Sequence, residues 1–167
     1  TVTSVIIGIL LAILFGGANA YLGLRVGMTV SASIPAAVIS MGIIRFILRR
    51  DSILENNMVQ TIGSAGESLA AGAVFTLPAI FMWAKEGKAT SPSFITIALI
   101  ALCGGILGVL FMVPLRTALI VEEHGILPYP EGTACAEVLL AGEEGGSKSK
   151  LVFSGLGIAA VYKFIAD

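Results

Sequence analysis

Apolar residues occupy this chain in long blocks rather than in the short alternations of a water-facing fold. Residues 1–24 and 89–115 contain no Asp, Glu, Lys or Arg, and residues 26–44 and 68–84 are equally free of them. A bilayer core about 30 Å thick needs roughly 20 mostly apolar residues per helix, and three of the four runs approach or exceed that length. The pattern predicts membrane spans over 2–24, 28–48, 55–83, 93–116 and 151–167. A shorter, more polar element over 128–142 begins with prolines and stops at Gly142. Its helical part covers about 18 Å, half a bilayer, so it is expected as a half-helix, interfacial or re-entrant. The expected fold class is all-α, a multi-pass transmembrane helical bundle.

Punctuation along the chain fits this division. The Gly23 to Gly27 link favours a tight turn or close helix approach, and makes the first two spans an antiparallel hairpin. Ser52 followed by Glu55 has the form of an N-cap with a capping-box glutamate. Trp83 stands where tryptophan marks a membrane interface, and Lys85, Glu86 and Lys88 form a short exterior loop. Residues 142–150, rich in Gly, Ser and charge, are expected as an aqueous loop. The positive-inside rule puts Arg45, Arg49, Arg50, Arg116, Lys148 and Lys150 in the cytoplasm against Arg25, Lys85 and Lys88 outside, with Thr1 cytoplasmic. Thr1 enters an apolar run without a Met or a signal-peptide pattern, and the last run stops at Asp167, so a fragment of a longer chain is expected.

Composition narrows the function. Hydrophobic residues make up 56% and charged residues 13%, about half the charged share of a soluble domain, which disfavours a water-soluble protein. A net charge of -1 leaves no basic surplus for nucleic acid. Cys103 and Cys135 have neither CxxC nor zinc-ligand spacing. No nucleophile with a base, phosphate loop or paired-carboxylate site stands out, so no enzyme activity and no cofactor are expected.

The chemistry concentrates between Glu55 and Ser68. Asn56, Gln60, Ser64 or Gly63, and Glu67 recur at helical spacing, with Asn57, Thr61 and Ser68 beside them. A polar stripe on a membrane helix must face protein or water. It either bonds helix to helix or lines a substrate path. Glu67 is the one ionisable residue between Glu55 and Lys85, near mid-bilayer if the helix crosses upright. A carboxyl there is costly when charged and could take up and release a proton in a transport cycle, or stay neutral as a structural group. Gly63 and Gly66 permit close packing or a broken helix, and Gly104, Gly105 and Gly108 suit close helix crossing. Glu122, Glu123 and His124 have the form of a solvated cluster. Tyr129 and Glu131 flank a proline at a helix start, where ligand groups could meet free backbone N–H groups or the chain simply turns.

Several blocks carry a resemblance. Asn19 to Met28, Ser33 to Ala37, Ser52 to Thr61, Ala65 to Ser68, Phe75 to Pro78 and Leu127 to Leu139 together resemble the oligopeptide transporter (OPT) family in its prokaryotic form. Tyr129-Pro130-Glu131-Gly132-Thr133-Ala134 is similar to the Tyr-Pro-Ser-Gly-Thr-Ala pattern of the yellow stripe-like branch, which carries metal chelates, with Glu131 in place of Ser. The Asn-Pro-Gly signature of the fungal and plant peptide branch is absent. The resemblance implies secondary active transport across the cell membrane, usually proton-coupled symport of small peptides or metal-chelate complexes. It implies a chain several times longer, of which this is the N-terminal part, with the lipid bilayer and the rest of that chain as partners and room for a homo-oligomer. In that scheme Glu67 carries the coupling proton, and Asn56, Asn57, Gln60, Thr61, Ser64, Tyr129 and Glu131 bind substrate. The rival expectation is a membrane channel or a non-transporting scaffold, in which the polar stripe only joins helices.

Overall fold

The computed structural model describes residues 1–50, 52–144 and 146–166. Asp51, Asp167 and the Lys148 side chain, each part of an expected segment or charge assignment, lie outside the described residues. Among these residues every regular element is helical and no strand forms. Three helices are long and apolar enough to cross a membrane, Val2–Val26, Ile53–Lys85 and Phe94–Glu122.

Helix α1 (Val2–Val26) is opened by Thr1, whose hydroxyl accepts the Ser4 N–H at 3.4 Å. It closes at Gly27, which takes φ 74° and returns its N–H to the Gly23 carbonyl at 2.9 Å. Glycine has no Cβ to oppose that left-handed turn. Helix α2 (Ser33–Gly42) continues into a wider π turn, Ile43–Ile47. It therefore starts five residues after the expected Met28, and at about 1.5 Å per residue its whole length is near 22 Å, too short to cross. Helix α3 (Ile53–Lys85) is capped by Ser52, which accepts the Glu55 N–H, and runs unbroken through Gly63 and Gly66.

Helix α4 (Phe94–Arg116) is capped by Ser93 and extends through a π turn, Thr117–Glu122. Helix α5 (Pro130–Glu144) begins on a proline, whose missing N–H costs nothing at the first helical position. Helix α6 (Gly146–Ala166) follows directly, so the aqueous loop expected over 142–150 is helical on both sides of residue 145. At the start of that stretch Gly142 is pressed against the Met41 sulfur and its carbonyl accepts from Arg45 at 2.6 Å, which fixes the end of α5 against α2.

Small residues set the tertiary arrangement. Gly8 faces Ile62, Leu11 faces Gly63, Gly66 faces the Ala12 backbone and Gly23 faces Val74. The paired numbers rise together, so α1 and α3 are parallel and touch backbone to backbone. A Cβ on Gly8 would stand 2.7 Å from that of Ile62, and one on Gly66 would collide with the Ala12 carbonyl. Helix α2 runs antiparallel to α3, with Ala36 beside Gly63 and Ser40 donating toward the Asn56 carbonyl. It is the innermost element: Ala36, Ala37 and Ile44 are fully buried. One of its faces joins Leu11 and Val59; another joins Leu139, with Val152 and Phe153 at the margin. Gly104, Gly105 and Gly108 meet nothing within 4 Å, so the crossing expected at these glycines has no partner among the described residues.

Substituting Gly66→Val forces α1 and α3 apart. In the detergent-solubilised full-length protein it is expected to cost about 1–3 kcal/mol, seen as a lower melting temperature. Gly17→Ala, where a Cβ meets open space, is expected to stay within about 0.5 kcal/mol of wild type. Equal stability of the two variants would contradict the close contact.

Candidate functional site

Between Gly27 and Ser33 the chain is not helical, and it doubles back along α1, where Val30 meets Asn19. Its amide groups need partners if they lie at membrane depth, where water is absent. Two polar side chains supply them. Asn19 accepts the Val30 N–H at 3.0 Å through Oδ1, and Glu67 accepts the Ala32 N–H at 3.2 Å through Oε2. The Asn19 amide also reaches the Glu67 carbonyl at 3.5 Å. The first turn of α2 is thus held level with Glu67, close to the middle of α3, about 21 Å above its start.

Helix α5 begins at the same level. Glu131, in its first turn, accepts from the Ser31 hydroxyl, and Ser31 also accepts the Ser33 N–H at 3.4 Å. From there α5 runs parallel to α2, Ser31 meeting Glu131 at one end and Met41 meeting Gly142 at the other. Two short helices therefore present their N-termini, the positive ends of their dipoles, to one region.

A cavity of about 600 Å³ opens against this junction, with Ser33, Asn57, Gln60, Glu131 and Cys135 as its polar lining and Leu54, Leu139 and Leu140 among its apolar walls. Of the residues named from the sequence as substrate-binding, Asn57, Gln60 and Glu131 line this cavity together. Gln60 donates weakly toward the Cys135 sulfur at 3.9 Å.

The other expected residues lie elsewhere. Asn56 turns to an adjoining face of α3, into a cleft with Met41, Arg45 and Gly142, and its buried Oδ1 has no hydrogen-bond partner among the described residues. Thr61 and Ser64 donate to the carbonyls of Asn57 and Thr61 within α3. Tyr129 donates to the Leu119 carbonyl at 2.9 Å, tying the start of α5 to the end of α4. Glu67 caps α2 and is absent from the cavity lining. Sequence reasoning passed over Ser31, Ser33 and Asn19. Asn19 carried a usable signal, being the one amide side chain in an apolar span.

The sequence profile of the family described as "OPT oligopeptide transporter protein" matches residues 1–167. A Haemophilus influenzae protein named "Putative oligopeptide transporter" is 45% identical over 149 residues, which is 88% of this chain and 22% of that protein. The chain thus spans about a fifth of the length of that relative. No solved structure matches it.

The different exposures of two neighbouring amides can be tested in the full-length protein without reactive cysteines. Asn57→Cys is expected to react with a water-soluble maleimide at least about tenfold faster than Asn56→Cys, since reaction requires an accessible thiolate. Equal rates would mean that the cavity does not open on the Asn57 face.

Proposed function

The chain belongs to the OPT oligopeptide transporter family, and from that premise we propose that it is part of a proton-coupled symporter of small peptides in the cell membrane. The observation that carries this reading is the meeting of the α2 and α5 N-termini at a cavity level with mid-α3. Transporters commonly build substrate sites near the bilayer midplane from interrupted helices of this kind. In this reading the N-terminus is cytoplasmic: α1 and α3 run parallel, and Arg45 and Arg50 at their starting end against Arg25, Lys85 and Lys88 at the other support that side under the positive-inside rule.

Glu67 is the proposed proton carrier. Ionised, it is a strong acceptor for the Ala32 N–H and anchors the non-helical segment that precedes α2. Protonated, it accepts more weakly, and the start of α2 is freer to move. A proton thereby biases one conformation of the half-helix beside the cavity, the requirement for coupling by population shift. Asn57, Gln60 and Glu131 bind substrate in this scheme; Asn56, Thr61, Ser64 and Tyr129 hold the helices that carry them.

The test is substrate-driven proton uptake in proteoliposomes containing the full-length protein, offered a di- to tetrapeptide pool and, separately, metal-chelate complexes. Peptides are expected to drive proton uptake in wild type, and Glu67→Gln to reduce that uptake by about tenfold or more while peptide binding persists. Uptake driven only by the chelates would move the substrate to that class. Downhill peptide flux indifferent to the proton gradient would identify a channel. Unchanged coupling in Glu67→Gln would make that glutamate a structural cap alone.

A further inference from the structure

The cavity carries formal charge at one place. Among the described residues Glu131 is its one carboxylate, and no Lys, Arg or His stands in its lining. The Ser31 hydroxyl donates to this carboxyl, yet a hydroxyl brings no counter-charge. A carboxylate in this position has lone pairs left for a ligand cation, and a charge-assisted hydrogen bond to an ammonium group is among the stronger contacts a cavity can make.

Its neighbours narrow the cation. Asn57 and Gln60 each offer an amide donor and acceptor, and the present bond of Gln60 to sulfur is weak enough to give way. Leu54, Leu139 and Leu140 supply an apolar wall without further charge. A metal ion would need several converging ligands, and among the described residues no three His, Cys, Asp or Glu side chains come together. One anion, two amides and an apolar wall match one end of a short peptide: an ammonium group, a backbone amide and a side chain of no fixed charge.

We propose that Glu131 binds the free α-ammonium group of the transported peptide, with Asn57 and Gln60 holding the first peptide unit and the leucine wall receiving a side chain. This deepens the transport reading above and rests on it. Because every linear peptide with a free N-terminus carries that ammonium, Glu131 selects for peptides without selecting their sequence. The same carboxylate repels anionic solutes.

The test uses uptake of labelled trialanine by the full-length protein in proteoliposomes, with unlabelled trialanine, trialanine amide and N-acetyl-trialanine as competitors. In wild type the amide is expected to compete as trialanine does, and the N-acetyl compound about tenfold or more weakly. Glu131→Gln is expected to raise KM for trialanine about tenfold with a smaller change in kcat and to erase the penalty for acetylation, while Glu131→Asp retains part of it. The wild-type competition does not depend on any variant folding. N-acetyl-trialanine competing equally in wild type would overturn the proposal and leave peptide transport standing. So would loss of competition on C-terminal amidation instead, which would assign the helix N-termini to the peptide carboxylate. Absence of uptake of any peptide would remove the transport reading and this inference together.

Discussion

Everything around the cavity depends on the contact between α1 and α3. Gly66 lies against the Ala12 backbone with no room for a side chain, and Gly8 and Gly23 seat Ile62 and Val74 in the same way. In a bilayer, lipid tails are as apolar as leucine, so helix association draws on close packing and interhelical hydrogen bonds rather than on the hydrophobic effect. The glycines provide the first. They also bring Asn19 within reach of the Glu67 backbone, and so create the second.

That proximity decides how the chain returns. Asn19 and Glu67 stand on two different helices, yet together they accept two amides of the non-helical segment before α2. Without them the N–H groups of Val30 and Ala32 would be unsatisfied where water is scarce, at a cost of several kcal/mol each. With them, helix α2 can start half way along α3 instead of at the membrane surface. The residues that stabilise this break are polar for a structural reason: they accept backbone N–H groups that no helix takes up.

The second half-helix completes the site from a distance of 100 residues. Glu131 reaches Ser31, Arg45 reaches the Gly142 carbonyl, and Leu139 packs with Ala37, Val38 and Met41. These contacts lock α5 parallel to α2 and leave the wall between them and the start of α3 open. A motion that shifts α2 relative to α3 would reshape that wall directly, because Ser33 belongs to α2, Asn57 and Gln60 to α3, and Glu131 to α5. The helix whose start Glu67 accepts is thus the same helix that borders the cavity through Ser33.

Much of this was legible in the residues alone. Block hydrophobicity determined the membrane class and the all-α fold, because a bilayer admits few other solutions to backbone hydrogen bonding. The Ser52 cap, the length of α3 and the short helix near residues 128–142 were local properties, and local spacing reports them; the same spacing grouped Gln60 with Asn56, whereas the cavity takes Gln60 with Asn57. The tertiary structure alone decided which polar residues share a cavity. Asn56 and Asn57 are adjacent in sequence, and a turn of about 100° per residue sends one to the α2 cleft and the other to the cavity. Asn19, Ser31 and Ser33 gained their roles only when the glycine contact set α1 against α3. The start of α2 moved from Met28 to Ser33 for the same reason: two side chains far away in sequence satisfied the amides that a helix would otherwise have used.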